Sequence, residues 1–426
     1  IPMRSIQLVR RTRRTIVALS LALGAACGGG EKQGEAAASA PTPGVANDTI
    51  TVGTLVPLSD AVALIGKPIL AGEEDYFAEL NAKGGIGGKY KVKVISEDVT
   101  YANPSTSVQK YNKIKDQIAA FAMILGTDHV NVTLPLMAED NILAIPTTFD
   151  AEWVREPHLI PTMSPYQVQV ANGIDYWWNR AGGKGKPICT MSMATGYGQA
   201  GDEGAAIATK ALGTTVASAA KFRPGDQDFV AQVTQLKNAN CAAVALTSLP
   251  TETAKIMGTA AQLGFTARWI STSPTWHQVL GKSPIAAYAK EHLWTSTDFA
   301  SPADTATNPA VQEILNAQRK YTPEQVGDFY FVAGWAFAKT LHTVLEAAAT
   351  SGDLSRAGIA KALTSLGDVD MQGVVGNYRY GAVESREPPR ATNIYAIDPS
   401  VLGGFTIVAR GYASEAAKAI VFTKKR

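Results

Sequence analysis

The stretch MATGYGQAGDEG, residues 193 to 204, contains three glycines at the spacing of a nucleotide-binding turn. Gly196, Gly198 and Gly201 form G-x-G-x-x-G between PICTMSM, which predicts a strand, and DEGAAIATKAL, which predicts a helix. In dinucleotide-binding folds these glycines let the backbone approach a pyrophosphate at the helix N-terminus. Redox chemistry with a nicotinamide or flavin cofactor is therefore the first hypothesis.

The rest of that fingerprint is incomplete. The next predicted strand, TVASAAKF, carries no acid to hold a ribose, and a bulky Tyr197 stands between the first two glycines. A residue that leaves the carboxyl end of a parallel strand points into the crevice where open α/β sheets bind ligands. We therefore predict that Tyr197 contacts a ligand, and an NAD(P)-dependent oxidoreductase becomes the less favoured alternative.

The other reactive side chains form no recognisable catalytic motif. The sequence contains no G-x-S-x-G, no G-x-x-x-x-G-K-[ST] and no C-x-x-C, and its five histidines show neither H-E-x-x-H nor a paired metal spacing. We therefore expect a protein that is not an enzyme and holds neither a metal nor a cofactor. Cys189 and Cys241 lie in apolar runs, and the sequence leaves open whether they pair as a disulfide or pack as small apolar side chains.

The first residues have the layout of an export signal. Five arginines and no acid precede the apolar run TIVALSLALGAA, which is too short to span a bilayer. Residues 24 to 27, GAAC, resemble a bacterial lipobox, so we predict a signal peptide over 1–26 and lipidation of Cys27; an ordinary signal with an incidental cysteine is the alternative. The Gly/Ala/Pro/Ser-rich residues 27–47 then predict a flexible tether for a protein exported to the periplasm or cell surface.

The body of the chain reads as an α/β protein. Without the five leading arginines it holds 34 basic and 37 acidic residues, which gives no basic face for nucleic acid. Short apolar runs alternate with helical periodicity from residue 49, and the pattern restarts after residue 172, which predicts two parallel sheets covered by helices. A long amphipathic helix, GDFYFVAGWAFAKTLHTVLEAA, could pack on either half.

Three long segments taken together resemble the type I periplasmic binding proteins of the leucine/isoleucine/valine group, the solute receptors of ABC importers. They are VGTLVPLSDAVALIGKPILAGEEDYFAELNAKGGIGGKYKVKVISED, FRPGDQDFVAQVTQLKNANCAAVAL and AAQLGFTARWI, and the resemblance extends from residue 48 to about 410. It implies a monomer that binds a small solute and delivers it to permease subunits, with the lipid anchor as its sole membrane contact. A ligand sensor that signals to a membrane partner is the alternative.

The resemblance also implies two Rossmann-like lobes that close on the ligand about three crossovers. We expect these crossovers near residues 163–167, 295–299 and 349–353. The first lobe then comprises 48–165 plus 298–350, and the second lobe comprises 166–297 plus 351–426. The family's cleft positions map onto Ile65, Thr127, Asp128, His129, Phe149, Asp150, Trp153, Tyr197, Leu249, Thr251 and Trp276.

This chain departs from the amino-acid-binding members at two anchoring points. Those members hold the ligand carboxylate with serine or threonine in loops where this chain has HV at 129–130 and EW at 152–153, and the ammonium with a glutamate where it has PTW at 274–276. Asp128, Asp150 or Glu252 could replace that glutamate from a new position. An uncompensated ammonium in a closed cleft costs several kcal/mol, so aromatic or branched apolar carboxylates and amides are expected besides branched-chain amino acids.

Overall fold

The computed structural model describes residues 42–424. The predicted signal peptide, Cys27 and most of the predicted tether lie outside this range.

The first part of the chain forms a five-stranded sheet with helices on its faces. Its strands are β1 (Val45–Ala46), β2 (Thr49–Val56), β3 (Lys91–Asp98), β4 (Ala120–Leu125) and β5 (Ala144–Thr147), and its helices are α1 (Ala63–Ala82), α2 (Ser105–Ile114) and α3 (Thr127–Asp140). The order β3-β2-β4-β5 is parallel, and β1 adds an antiparallel pairing to β2. Every residue of β4 is buried because helices cover both faces of a parallel sheet.

The second part repeats the pattern. Its strands are β6 (Ile188–Met193), β7 (Val216–Phe222), β8 (Ala243–Thr247), β9 (Arg268–Thr272) and β10 (Leu293–Thr297), and its helices are α4 (Tyr166–Arg180), α5 (Gly196–Ala211), α6 (Val230–Asn238), α7 (Pro250–Gln262) and α8 (Ala286–His292). The order β10-β9-β8-β6-β7 is parallel. The α/β fold predicted from the alternating pattern is confirmed.

The third part adds helices to the first sheet and strands to the second. It contains helices α9 (Pro309–Tyr321), α10 (Phe329–Thr350) and α11 (Arg356–Ser365), a short ribbon of β11 (Asp368–Val369) and β12 (Tyr378–Arg379), and then β13 (Thr392–Ile397), β14 (Phe405–Tyr412) and α12 (Glu415–Lys418). Strands β13 and β14 are antiparallel and extend the second sheet beyond β10. The second sheet is therefore mixed, although the sequence pattern predicted a parallel one.

Helix α10 packs on the first sheet and crosses α1 closely. A side chain at Gly72 would lie 2.2 Å from the carbonyl oxygen of Phe331, and one at Gly334 would lie 1.9 Å from the carbonyl oxygen of Ile69. Glycine at both positions lets the two helix backbones approach. We call the first sheet with α1–α3 and α9–α11 the first lobe, and the second sheet with α4–α8 and α12 the second lobe.

The expected lobe boundary near residue 350 needs correction. Helix α11 belongs to the first lobe, because the Arg356 guanidinium donates to the carbonyl oxygens of Ile118 and Asp140, each at 3.1 Å. The chain therefore does not cross over at 349–353. The expected division after residue 350 assigned α11 to the second lobe, and this assignment is wrong. The third connection runs through 366–391 instead.

One buried carboxylate joins the three connections between the lobes. Asp298 follows β10, and its Oδ2 accepts hydrogen bonds from the backbone N–H of Ser164 at 3.0 Å and of Gly376 at 3.2 Å. Ser164 lies in the first connection and Gly376 in the third. Burial raises the pKa of Asp298 to about 7, although the N–H groups that donate to it lower the pKa.

Cys189 of β6 and Cys241, which precedes β8, form a disulfide. This settles the alternative that the sequence left open. Among the described residues, no helix is both long and apolar enough to cross a membrane.

Candidate ligand cavity

A partly open cavity lies between the lobes, where strand ends of both sheets meet. Its free volume of about 40 Å³ holds only a few water molecules. The lining residues are mainly apolar and aromatic: Ile65, Ile69, Tyr101, Leu125, Gly126, Thr127, Thr147, Thr148, Phe149, Tyr166, Tyr197, Leu249, Ser273, Pro274, Phe299, Tyr330, Ala333 and Phe337. Of the predicted contact residues, Ile65, Thr127, Phe149, Tyr197 and Leu249 therefore line the cavity.

Tyr197 is positioned by the start of α5. Thr195 caps this helix by accepting from the N–H of Gly198 at 3.3 Å, so the next residues turn toward the cleft. The Tyr197 hydroxyl lies 2.7 Å from Thr272 Oγ1 and 3.3 Å from the carbonyl oxygen of Ser248. Burial raises the pKa of Tyr197 to about 12, so the phenol stays protonated and its ring forms a neutral wall.

The glycines around Tyr197 are needed for close packing. A side chain at Gly198 would lie 1.8 Å from the carbonyl oxygen of Met193, and one at Gly201 would lie 1.9 Å from Thr247 Oγ1. Both neighbours belong to the second lobe itself. These two glycines of the G-x-G-x-x-G pattern thus let α5 pack against β6 and β8.

Tyr330 and its neighbours on α10 were missed by the sequence analysis. Tyr330, Ala333 and Phe337 recur at helical spacing and present one face of α10 to the cavity. The Tyr330 hydroxyl donates across the cleft to the carbonyl oxygens of Trp276 at 2.8 Å and Pro274 at 3.0 Å. The periodicity was visible in the sequence, but the lobe on which α10 packs was not.

Threonine hydroxyls gather at the first-lobe side of the cavity. Thr127 Oγ1 and Thr148 Oγ1 lie 2.6 Å apart, and Thr147 Oγ1 is buried without a hydrogen-bond partner in the described structure. Thr127 is also the first residue of α3, whose N-cap residue Gly126 makes no side-chain capping bond. Residues 129–130 and 152–153 stand at the positions where the family's anchoring hydroxyls were expected, whereas the hydroxyl-bearing threonines that line the cavity are Thr127, Thr147 and Thr148.

No charged side chain is among the described residues that line the cavity. The acids expected as ammonium partners are directed elsewhere. Asp128 Oδ1 accepts from the N–H of Gly196 at 3.1 Å, Asp150 Oδ1 accepts from Gln167 Nε2 at 3.0 Å, and Glu252 Oε1 accepts from the N–H of Gly225 at 3.0 Å. The cavity therefore offers hydroxyls and apolar surface and no counter-ion.

Other predicted contact residues also lie outside the lining. His129 is buried, with Nδ1 2.6 Å from Ser107 Oγ and Nε2 3.0 Å from the Tyr101 carbonyl oxygen, and burial lowers its pKa. Trp153 packs with Val130 and Leu159 in the core of the first lobe.

Trp276 is fully buried, and it contributes its carbonyl oxygen to Tyr330. Thr251 lies in the first turn of α7 and is not among the cavity-lining residues. Sequence alone cannot separate a tryptophan of the core from a tryptophan that lines a cavity, because both uses bury a large ring.

The chain resembles known solute receptors along most of its length. A family model described as periplasmic binding protein matches residues 49–398. The Leu/Ile/Val-binding protein homolog 3 of Brucella melitensis is 24% identical over 326 residues, which cover 74% of this chain and 83% of that protein.

Solved structures have the same fold. The fatty acid ABC transporter substrate-binding protein from Thermomonospora curvata gives a TM-score of 0.84 at 25% identity, covering 90% of this chain and 97% of that one. A branched-chain amino acid ABC transporter protein from Thermus thermophilus with bound valine gives 0.76 at 18% identity, covering 88% and 99%. With the family model spanning most of its length, the chain belongs to the periplasmic binding protein family.

Proposed function

We propose that this protein is the extracytoplasmic substrate-binding component of an ABC importer, and that its ligand is a mainly apolar molecule with a carboxylate or amide group and no ammonium. Fatty acids and branched or aromatic acids have this chemistry. The observation that carries the proposal is the cavity between the lobes, whose described lining is apolar and aromatic, with hydroxyls and no charge.

An amino acid would be a poor ligand for such a lining. Its ammonium would lose hydration in the closed cavity and would find no carboxylate there, because Asp128, Asp150 and Glu252 are bonded elsewhere. Burying an unpaired charge costs several kcal/mol. The similarity to a fatty acid receptor supports the same ligand class.

A carboxylate has suitable partners at the start of α3. Thr127 and Thr147 line the cavity there, and the first N–H groups of α3 have no side-chain cap. Free N–H groups and the helix dipole favour an anion at a helix N-terminus. We infer that the ligand head group binds at this end and that its apolar part lies against Tyr166, Tyr197 and Phe337.

The first prediction is a ligand preference that thermal unfolding can measure. Each amino acid is paired with its deaminated analogue: leucine with 4-methylpentanoate and phenylalanine with 3-phenylpropanoate, with octanoate added as a straight-chain acid. A ligand at a hundred times its Kd stabilises the folded state by about 2.7 kcal/mol. We expect the acids to raise the melting temperature and the free amino acids to leave it unchanged.

The opposite result would contradict the ligand class. If leucine stabilises the protein and 4-methylpentanoate does not, an acidic group must reach the ammonium and the protein is an amino acid receptor. Stabilisation by NAD or NADP would instead support the oxidoreductase alternative. Thr147→Val, which keeps the side-chain shape and removes a buried hydroxyl that has no partner in the described structure, is the matched variant: it should weaken binding of the acids without lowering stability.

We further propose that the protein is exported and anchored through lipidated Cys27. The Cys189–Cys241 disulfide supports export, because disulfides persist in oxidising compartments. The second prediction is that a bacterium fed a labelled fatty acid incorporates label into the full chain and not into Cys27→Ser. Equal labelling of the two chains would show that Cys27 is not the lipidation site.

A further inference from the structure

One of the direct contacts between the lobes lies beside the cavity, at the starts of α3 and α5. Gly196, the first residue of α5 in the second lobe, donates its N–H to Oδ1 of Asp128, the second residue of α3 in the first lobe, at 3.1 Å. The next residue in one chain segment and the preceding residue in the other, Tyr197 and Thr127, line the cavity. At the start of each of the two helices, one residue makes the contact between the lobes and its neighbour in sequence lines the cavity.

Glycine is required at position 196 because the two lobes approach closely there, and not because of its backbone conformation. It is not among the described glycines with positive φ. A side chain there would lie 2.6 Å from Thr127 Cγ2 and 2.9 Å from Asp128 Oδ1, closer than real Cβ contacts. Both atoms belong to the other lobe, unlike the neighbours of Gly198 and Gly201. Glycine at 196 thus permits closure, whereas a methyl group would hold the lobes apart.

Asp128 makes this contact attractive. Its carboxylate meets the positive end of the α5 dipole, and hydrogen bonds with one ionised partner are roughly twice as strong as neutral ones. The bond forms between lobes, so it exists only while they are together. Its free energy therefore adds to closure and, through closure, to ligand affinity, although Asp128 is not among the cavity-lining residues.

We propose that Asp128 and Gly196 are positioning residues that stabilise the closed arrangement of the lobes. This rests on the proposed function in that a ligand is taken up by lobe closure. The closure contact itself is independent of which ligand binds. It also assigns a role to the first glycine of G-x-G-x-x-G: it accommodates a protein carboxylate of the opposite lobe where a nucleotide fold would accommodate a phosphate.

Four variants of the full chain test this third prediction. Asp128→Ala removes the acceptor, and Asp128→Asn keeps an oxygen that can accept from Gly196. Gly196→Ala introduces the inter-lobe clash. Gly258→Ala in α7 is the matched control, because a side chain there meets its nearest neighbour at 3.6 Å, an ordinary contact. Circular dichroism checks that each variant is folded.

Lobe separation is measured first without any ligand, by the radius of gyration from small-angle X-ray scattering and by hydrogen exchange of the peptide that contains Gly196. We expect Asp128→Ala and Gly196→Ala to enlarge the radius of gyration and to speed exchange about tenfold or more. Asp128→Asn should recover most of the wild-type behaviour, and Gly258→Ala should match the wild type. Unchanged scattering and exchange in Asp128→Ala and Gly196→Ala would overturn the proposal.

Affinity is measured second, with octanoate as the probe. A hydrogen bond to a charged group is worth about 1.5 kcal/mol or more, so Asp128→Ala should bind octanoate about tenfold more weakly. Wild-type affinity in this variant would count against the closure role. If octanoate does not bind the wild type, the proposed ligand class is what fails, and the scattering result still decides whether Asp128 and Gly196 control closure.

Discussion

Tyr197 and Tyr330 line the cavity from opposite lobes, but their hydroxyl groups form hydrogen bonds with different parts of the protein. The Tyr197 hydroxyl bonds within the second lobe, to Thr272 and Ser248. The Tyr330 hydroxyl bonds across the cleft, to the carbonyl oxygens of Pro274 and Trp276. The ring of each side chain can therefore serve ligand contact while its hydroxyl serves a separate purpose.

This difference gives the fourth prediction. Tyr197→Ala should weaken ligand binding by about 1–3 kcal/mol because an aromatic wall is lost. Tyr197→Phe keeps the ring, so it should lower the free energy of unfolding by about 1 kcal/mol and leave affinity nearly unchanged. Calorimetry with the best acid of the ligand panel and urea unfolding measure the two quantities. Wild-type affinity in Tyr197→Ala would remove this side chain from the binding surface.

Residues that the sequence places near a strand end are among those that line the cavity. Thr127 and Tyr197 lie in the first turns of the helices that follow β4 and β6, where the carboxyl end of a parallel strand directs the chain toward the cleft. Trp153 was predicted from the same loops, yet it packs in the core of the first lobe. The direction of the Trp153 side chain could not be predicted from the end of β5, because a short 3-10 helix over Ala151–Arg155 turns the chain after that strand.

At the scale of elements, the two helix starts that face each other determine the chemistry of the cleft. Helices α3 and α5 both present their N-terminal ends there, and Asp128 places one negative charge between them. A ligand carboxylate at Thr127 and Thr147 would use the N–H groups of α3, while α5 is already satisfied by Asp128. Under the proposed function, the N–H groups of α3 therefore serve one anionic head group and those of α5 do not.

The lobe on which α10 packs could not be predicted from the periodicity of its sequence. Its apolar face was evident, but both lobes offered an apolar partner. The deciding contact is the glycine crossing with α1, where Gly72 and Gly334 remove the side chains that would separate the helices. An isolated glycine in a helical pattern does not indicate which helix packs against it. The residues of α10 that line the cavity could therefore not be predicted, whereas residues near strand ends could.

At the scale of the whole molecule, Asp298 links the three connections between the lobes. Its Oδ2 accepts from Ser164 and Gly376, while Oδ1 and the Ser164 hydroxyl are buried without hydrogen-bond partners in the described structure. Three separated stretches of sequence meet at this one carboxyl group. No local pattern signals such a meeting, which explains why the third connection was expected in the wrong place.

The fifth prediction concerns how this carboxyl group links stability to pH. Burial raises the folded-state pKa of Asp298 to about 7, while the unfolded chain has an aspartate pKa of about 3.9. Its contribution to stability is fully present below the unfolded value. It declines as pH rises, because the unfolded state releases the proton first, and levels off above about pH 7. Three pH units at about 1.4 kcal/mol each give an upper limit of about 4 kcal/mol.

Asp298→Asn isolates this effect, because asparagine can still accept from both N–H groups and does not titrate. Urea unfolding from pH 4 to 8 should show the wild type losing stability relative to Asp298→Asn as pH rises, with most of the change between pH 4 and 7. Other buried acids, such as Glu73, whose carboxyl group lacks a partner in the described structure and whose pKa burial raises, are present in both proteins and cancel in the difference. A difference that stays constant with pH would mean that Asp298 ionises in the folded protein near its ordinary pKa, and that water reaches the point where the three connections meet.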